Sequence, residues 1–403
     1  GQPRQRIHPS FPSPPLLRQL DLSPLGPEAA EAEAYLIAER EAARVFELEK
    51  EALLRATLIK IDRDQWILLL MRHHLISDGW SVALLLRELE APLPDLRLQY
   101  VDFVHWQRKQ AALDLPFWRQ ALAGSKPTRL GPDNQPGRGF AAAYMTFHLD
   151  HELVQQLRAL AASRKATLYM VLLSGFQALL SAATGDSDIT LGSPNANRQR
   201  SEWEPLLGFF VNTMVLRTQV DLQQNTLELL EQTRTACTQA FAHQGLPFEE
   251  LARELGPEPL FHILFVLQNS PAYIPNWPGL QVENWGPGPR TVRLDMELHF
   301  FLLETGQLEG WWVYNRSRFN ESAMRARLDA YIALLHGLVT DPLCPLCDLL
   351  PATLRGTEKE AQQGVESHTS SDHLEEELRS LWSQKLGCPV GLDDLLVDLG
   401  ASS

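Results

Sequence analysis

The stretch Arg72–Ser81 reads RHHLISDGWS and contains the densest set of reactive side chains in the chain. It follows Gln65–Met71, an almost wholly apolar segment that predicts a strand buried on both faces. Successive side chains of an extended segment point to opposite sides. One histidine, His73 or His74, can therefore face a cavity while the other is buried behind it.

This alternation argues against a metal site, because two ligands on opposite sides of a strand do not converge on one ion. Asp78 is also poorly placed as a third ligand. The residues alone leave a second interpretation open, in which His73 and His74 are ordinary histidines before a turn at Asp78-Gly79.

Composition sets the limits for any function. The 403 residues correspond to two or three domains, with 44% hydrophobic and 21% charged residues, as in globular proteins. The net charge is −14 without any Lys/Arg run, which makes nucleic acid and anionic membranes poor partners. The longest apolar runs, such as Trp66–Met71 and Phe261–Leu267, are far shorter than the roughly 20 residues of a membrane span.

The cysteines do not form a disulfide framework. Cys237 and Cys388 stand alone, and Cys344 and Cys347 form a CxxC without a second ligand pair at zinc-site spacing. We expect incidental thiols, a reducing cytoplasm and no signal peptide.

Hydrophobic periodicity predicts two α/β units, separated at the Gly/Pro-rich segment Gly124–Gly139. The predicted helices are Glu28–Leu54, Val82–Glu90, Val101–Leu122, Asp150–Arg164, Thr167–Thr184, Thr226–His243, Glu321–Val339 and Asp372–Gly387. The other predicted strands are Thr57–Ile61, Ala143–Leu149, Asp188–Gly192, Phe209–Val220, His262–Gln268, Leu294–Leu303 and Leu308–Tyr314.

The HHxxxDG pattern with Trp80-Ser81 resembles the signature of the condensation domains of nonribosomal peptide synthetases. Four further segments resemble motifs of that family, in the family's order. They are YVDFVHWQ at Tyr100–Gln107, GFFVNTMVLR at Gly208–Arg217, HQGLPFE at His243–Glu249 and PLFHILFVLQN at Pro259–Asn269. Pro257-Glu258 replaces the Arg-Asn expected before the last motif, and the family's opening motifs are missing.

The resemblance implies an α/β fold of two chloramphenicol-acetyltransferase-like lobes in a V arrangement, with the active site in a tunnel at their junction. The expected organisation is an N-terminal lobe at 1–124 with a truncated beginning, a C-terminal lobe at 125–345, a linker at 346–371 and a helical carrier-domain fragment at 372–403. Donor and acceptor carrier proteins would present acyl or aminoacyl substrates on 4'-phosphopantetheine arms, and an acceptor amine would attack the donor thioester.

Few residues are needed for such a reaction, because holding an activated thioester beside an amine already removes much of the barrier. The resemblance implies that His74 faces the tunnel and either accepts the amine proton or only orients the amine. His73 would be the buried partner that shapes the strand end. Asp78 would be structural and paired with Arg217. Gly79 would leave room for the acceptor and offer a backbone N–H to the oxyanion.

The other motif residues have structural interpretations. We expect Trp80 and Ser81 to pack and cap, and Tyr100–Gln107 and His243–Glu249 to form scaffold and tunnel wall. Trp311-Trp312 is expected in the core. HHLISDGWS resembles the subtype that joins an L-configured donor, and the first histidine argues against heterocyclisation, where the family carries Asp.

The tail resembles the first half of a peptidyl carrier domain, with LEEELRSLWSQKLG at Leu374–Gly387 and DLLVDLGASS at Asp394–Ser403. In that register Ser403 is the serine that would carry phosphopantetheine. With no adenylation domain between the two segments, the carrier would be loaded in trans or belong to an engineered fusion.

Other functions stay open at this point. They are an ester-forming acyltransferase of the same fold, a non-catalytic docking module between carriers, and an epimerase, which normally follows its carrier.

Overall fold

A computed structural model describes residues 17–91, 95–133, 139–268, 275–286, 288, 291–303, 305–351 and 354. Within these ranges the strands are β1 Arg18–Asp21, β2 Leu54–Lys60, β3 Trp66–Arg72, β4 Ala142–Leu149, β5 Asp188–Asn195, β6 Asn212–Gln219, β7 Ile263–Gln268, β8 Met296–Leu302 and β9 Leu308–Asn315. The helices are α1 Pro27–Ala43, α2 Gly79–Glu88, α3 Tyr100–Ala121, α4 His151–Ser163, α5 Leu168–Thr184, α6 Thr226–Ala242, α7 Phe248–Leu255, α8 Glu321–Thr340 and α9 Leu346–Leu349.

A small sheet, β1-β2-β3, carries the HHxxxDG stretch. β1 runs parallel and β3 antiparallel to β2. Ala30, Ala34 and Ile37 recur along one face of α1 and pack against Ile59 and Ile61 of the sheet region. This core fixes β3, and thereby the point where the motif begins.

The prediction that the strand Gln65–Met71 is buried on both faces was wrong. Ile67 packs against the α1 core, but Trp66 and Leu68 are 49% and 38% exposed. Alternate residues of a strand lie on opposite faces, and within the described chain α1 covers only one of them. The apolar sequence of this strand therefore does not mean that both of its faces are buried.

The predicted helix Glu28–Leu54 was too long, since α1 ends at Ala43. Arg55 of β2 donates hydrogen bonds to the carbonyls of Arg44 and Val45 at 3.2 and 2.9 Å. It also pairs with Glu51 at 2.8 Å. These tertiary bonds satisfy backbone carbonyls just beyond the helix end, which helical periodicity does not reveal.

The larger sheet has the order β4-β9-β8-β7-β5-β6 and is mixed, because β7 runs parallel to β5 and β8 while the other pairs are antiparallel. Every residue from Met170 to Thr184 of α5 is buried in its core. Gly175 lets α5 approach α8, since a Cβ there would lie 3.1 Å from Leu335.

The helices and strands predicted between residues 143 and 339 are confirmed, with shifts at their ends. β8 and β9 pair antiparallel, as predicted for the strands Leu294–Leu303 and Leu308–Tyr314. Asp150 caps α4 by accepting the N–H of Leu153 at 2.8 Å. The short elements β1, α7 and α9 were not predicted, and α9 lies at the start of the segment expected to be a linker.

α3 connects the two sheets. Its first half contributes Phe103 to an aromatic cluster at the junction, whereas Trp118 near its end lies in the core of the larger sheet. The predicted lobe limits at 124 and 345 stay predictions. The predicted helix Asp372–Gly387 lies outside the described residues.

No single helix among the described residues is long and apolar enough to span a membrane, although α4 and α5, bent by 100° at their junction, pass that test as a pair.

Candidate active site at the junction of the two sheets

The HHxxxDG motif runs from the end of β3 to the start of α2. His73 follows β3 in extended backbone, and its Nδ1 accepts a hydrogen bond from the N–H of Leu75 at 3.1 Å. Its ring is half-buried and lies edge-on to Phe46, with centroids 5.9 Å apart. His73 thus shapes the turn, and the expectation of full burial was too strong.

His74 opens a single 3-10 turn and stays exposed. Its ring lies edge-on to Phe209, with centroids 5.1 Å apart, so it faces the segment that precedes β6 of the larger sheet. Partial desolvation of the ring by the surrounding protein lowers the pKa of His74, and the positive charges of Arg72 and Arg293 lower it further. A backbone hydrogen bond and the charge of Asp78 oppose this shift. A pKa below the ordinary value favours the neutral imidazole near pH 7, which is the form that can accept a proton.

Asp78 forms the opposite end of the motif and is 3% exposed. Its Oδ1 accepts the N–H of Ser81 at 2.8 Å and caps α2. Its Oδ2 accepts the N–H of Phe210 from the larger-sheet side at 3.0 Å. The carboxylate therefore joins the two halves of the molecule, which agrees with the predicted structural role.

The cation beside Asp78 is Arg198, which corrects the predicted pairing with Arg217. The Nη2 of Arg198 lies 3.4 Å from Oδ1 of Asp78 and 3.1 Å from Oγ of Ser81. Its guanidinium also stacks over the Phe210 ring at 3.9 Å and donates to the carbonyl of Leu206 at 2.9 Å. Both side chains of the ion pair are almost fully buried.

Arg217 lies elsewhere. It pairs with Asp188 through contacts of 2.7 to 3.1 Å, and its Nη1 donates to the carbonyls of Ala121 and Ala123 at 3.2 and 2.9 Å. It is five residues along β6 from Asn212, or about 16 Å at strand rise. Arg217 therefore fastens the end of α3 to the larger sheet and does not reach Asp78.

Arg198 was missed by sequence reasoning. It lies three residues beyond the end of β5, in the segment Asn195–Arg200. It is 120 positions from Asp78, and no local pattern marks it rather than Arg200 or Arg217 as the partner of that carboxylate. Only the approach of the two sheets identifies it.

Trp80 and Ser81 pack and hydrogen-bond, as predicted. Trp80 donates to the carbonyl of Glu204 at 2.9 Å. The hydroxyl of Ser81 donates to the carbonyl of Gly208 at 2.8 Å and accepts the N–H of the same residue at 3.1 Å. These bonds place α2 directly against the GFFVNT segment.

The two predicted scaffold motifs brace the same junction. Tyr100 donates to the carbonyl of Phe209 at 2.7 Å. The side chain of Asn212 donates to the carbonyls of Gln244 and Leu246 at 2.9 and 2.7 Å. His243 stacks on Phe117 at 3.9 Å and is held locally by the carbonyl of Gln239 at 2.9 Å.

Two further predictions concern the rest of the chain. Trp312 is fully buried in the core, as expected, whereas Trp311 is only half-buried and donates to Oε1 of Glu309 at 2.7 Å. The thiol of Cys347 donates to Oδ1 of Asp348 at 3.5 Å, and no group of three potential metal ligands occurs within the described ranges. Ser403 lies outside them, so its role stays a prediction.

Comparison with known families places this geometry in context. A family model described as Condensation domain matches residues 1–360. That match excludes the carrier-like segment 372–403.

Curated relatives are large synthetases. One of the linear gramicidin synthase proteins of Brevibacillus parabrevis is 36% identical over 352 residues, covering 81% of this chain and 7% of that protein. Malpinin synthetase of Mortierella alpina is 32% identical over 371 residues, covering 86% of this chain and 5% of that protein. The chain thus spans only a small part of the length of these relatives.

Solved structures share the fold. SgcC5 of Streptomyces globisporus aligns with a TM-score of 0.66 and 26% identity, covering 85% of this chain and 84% of that one. The first condensation domain of the CDA synthetase aligns with a TM-score of 0.65 and 21% identity, covering 82% and 77%. The predicted chloramphenicol-acetyltransferase-like α/β fold is confirmed. The chain belongs to the condensation domain family of nonribosomal peptide synthetases.

Proposed function

We propose that this chain catalyses amide formation between two carrier-bound substrates. The α-amine of the acceptor attacks the thioester carbonyl of the donor, and the donor's thiol leaves on its phosphopantetheine arm. Membership of the condensation domain family supports this reaction class. Donor and acceptor carriers, and the cytoplasm as compartment, belong to the same proposal.

The observation that carries the proposal is the difference in exposure and bonding between His74 and Asp78 of the HHxxxDG motif. His74 is exposed at the junction with a lowered pKa, whereas Asp78, four residues on, is buried and bonded on both oxygens. A neutral imidazole can accept the proton of the attacking amine or orient its lone pair. Both carboxylate oxygens of Asp78 already accept backbone N–H groups, from Ser81 and Phe210. We therefore assign Asp78 a structural role and no role in the reaction.

Gly79 has a supporting role in the proposal. It is the exposed first residue of α2, a position whose N–H has no partner within a helix. We infer that this N–H stabilises the oxyanion of the tetrahedral intermediate. Arg217 would act at a distance, by holding α3 against the larger sheet.

The test is a condensation assay with a donor-loaded carrier and an amine acceptor, read by intact-protein and product mass spectrometry. His74→Ala should lower the rate by about 10²- to 10⁴-fold, as expected for loss of an acid–base group. Its melting temperature should stay within about 2 °C of wild type, because the side chain is exposed. His336→Ala, at another exposed histidine that lies on α8 and outside every motif, is the matched control and should retain full activity.

Equal rates for His74→Ala and wild type would refute the role of His74. With the donor shown to be loaded, amide product from neither protein would refute amide formation. Consumption of the donor only by a hydroxyl analogue would replace amide formation with ester formation.

A further inference from the structure

Arg72 is the last residue of β3 and directly precedes the two histidines of the HHxxxDG motif. It is half-buried, yet its guanidinium forms no hydrogen bond and no ion pair within the part of the chain that the structure describes. Its Nε is enclosed by protein and has no acceptor there. The proposed mechanism uses Arg72 only for the effect of its charge on His74.

A cation held partly out of water without a partner is unfavourable for the folded protein. Desolvation lowers the pKa of Arg72, and the charge of Asp78 opposes that shift. Asp78 does not serve as a direct partner, because its oxygens accept the N–H groups of Ser81 and Phe210 and its ion pair is with Arg198. A ligand that brings an anionic acceptor would remove this cost.

The guanidinium of Arg72 lies beside the imidazole of His74. β3 is extended as far as Arg72, and His73 continues the extended backbone with φ of −80° and ψ of 137°. Side chains two positions apart in such a segment leave on the same side, with Cα atoms about 6–7 Å apart. The lowering of the His74 pKa by the charge of Arg72 agrees with this placement.

The surroundings of His74 are positive overall. The charge of the exposed Arg293 also acts on His74, and Asp78 is the one negative charge among those that do. That carboxylate is already paired with Arg198. The first turn of α2, which starts at Gly79, adds the partial positive charge of a helix N-terminus. A substrate bound in front of His74 therefore meets a field that favours a negatively charged group.

The chemistry of the proposed reaction narrows the kind of anion. A guanidinium binds a carboxylate through two parallel hydrogen bonds, which fixes both charge and orientation. His74 contacts the attacking amine in the proposed mechanism, so Arg72 lies next to the acceptor. An amino-acid acceptor carries its negative charge as a carboxylate, whereas the oxyanion formed from the donor is already assigned to the N–H of Gly79.

We propose that Arg72 binds a carboxylate of the acceptor whose amine lies at His74, so that the chain prefers acidic acceptors. This inference rests on the proposed function, because it takes the position of the acceptor from the role of His74. The carboxylate is either that of an acidic side chain or the α-carboxylate of an acceptor amino acid that is not carrier-bound. Arg72 is thus a specificity-determining residue that contacts the substrate away from the reacting atoms.

The test compares pairs of acceptors that differ in one charge, with the same donor-loaded carrier throughout. Glutamyl- and glutaminyl-loaded acceptor carriers differ in the side-chain carboxylate, and free glutamine and its α-amide differ in the α-carboxylate. In one of the two pairs, kcat/KM of wild type should be about tenfold or more higher for the charged acceptor. The pair that shows the preference identifies which carboxylate is bound.

Arg72→Gln should abolish that preference while amide product still forms from the neutral acceptor. The ratio within each pair is compared between variants, so the effect of the lost charge on the His74 pKa cancels, as does any difference in amine basicity. Arg72→Lys keeps the charge without the planar fork and should retain part of the preference. Arg63→Gln, in the exposed turn between β2 and β3 at the other end of the strand, is the matched control and should retain all of it.

Arg72→Glu gives a test of opposite sign. A carboxylate at this position should repel an acidic acceptor, so the neutral acceptor of the pair should be favoured by about tenfold. Thermal melting checks that each variant is folded before its ratio is used. A preference for the charged acceptor that survives in folded Arg72→Gln would overturn the assignment of Arg72.

The wild-type ratios alone also decide the matter, without any variant. Equal kcat/KM for charged and neutral acceptors in both pairs, with amide product formed from all of them, would overturn this inference and leave the proposed function standing. Absence of amide product from every acceptor, with the donor shown to be loaded, would refute the proposed function and this inference with it.

Discussion

The two ends of the HHxxxDG motif differ in almost every physical respect. At one end, His74 is exposed, contacts Phe209 only by an aromatic edge and has a pKa below its ordinary value. At the other end, Asp78 is buried, caps α2, bonds to the backbone of Phe210 and pairs with Arg198. The exposed imidazole and a buried carboxylate that accepts hydrogen bonds on both oxygens lie only four positions apart.

The difference teaches how a short motif divides its roles. The buried end joins the β3–α2 unit to the larger sheet, and the exposed end then holds an imidazole at that junction. A rigid buried anchor next to a reactive side chain keeps that side chain close to the geometry that the reaction needs. Substitutions at the buried end should therefore change stability first, and those at the exposed end should change rate.

The largest expected effect on stability belongs to Asp78→Ala. Removing the carboxylate leaves Arg198 as an unpaired buried charge and also removes the cap of α2. We expect a loss of about 3–5 kcal/mol in the free energy of unfolding, measured by urea denaturation. Arg198→Met, which removes the buried charge together with its partner, should restore part of that loss in the double variant.

A wild-type unfolding curve for Asp78→Ala would contradict the anchoring role, especially if activity were lost. Asp78→Asn sharpens the comparison. It retains the oxygen that caps α2 but loses the charge, so its loss should lie between those of Ala and wild type.

A smaller effect is expected for Arg217→Ala. Its ion pair with Asp188 is partly exposed, with side chains 24% and 31% accessible, and such pairs contribute little. With the two carbonyl contacts at the end of α3, we expect a loss of about 1–2 kcal/mol in the free energy of unfolding. A loss as large as that of Asp78→Ala would show that the α3 attachment matters as much as the junction itself.

The smallest effect concerns pH. In the proposed mechanism the neutral imidazole is the active form, so the rate should rise with pH through the lowered pKa of His74 and level off above it. Arg72→Gln removes a neighbouring positive charge, so the pKa of His74 and the rising part of the profile should move to higher pH. The measurement is kcat/KM between pH 4.5 and 8 with the same acceptor for every variant. The acceptor amine titrates identically in all of them, so a difference between profiles reports on the protein.

Lys109→Gln removes an exposed charge on α3 and serves as the control for that profile. If the pH profiles of Arg72→Gln and wild type coincide, the positive charge of Arg72 does not lower the pKa of His74.

Much of the molecule followed from local sequence. α4 and α5 begin at Asp150 and Thr167, which cap their first turns, and β4 alternates buried and exposed residues. His74 and Asp78 were singled out by the resemblance of HHxxxDG to the condensation-domain signature, because their spacing alone left an ordinary turn open. Their element, a strand end followed by a helix start, is set by neighbours in the chain. Periodicity and capping act over a few residues, so they can be read without knowing the fold.

Ion pairing, burial and some element ends depend on contacts between distant segments, and only the tertiary structure determined them. The family resemblance paired Asp78 with Arg217, but the approach of the two sheets places Arg198 beside it, 120 positions away in the chain. The exposure of Trp66, the end of α1 at Ala43 and the enclosed Nε of Arg72 likewise depend on which distant groups pack nearby. Burial and ion pairing are properties of positions in space, and a run of residue types does not contain those positions.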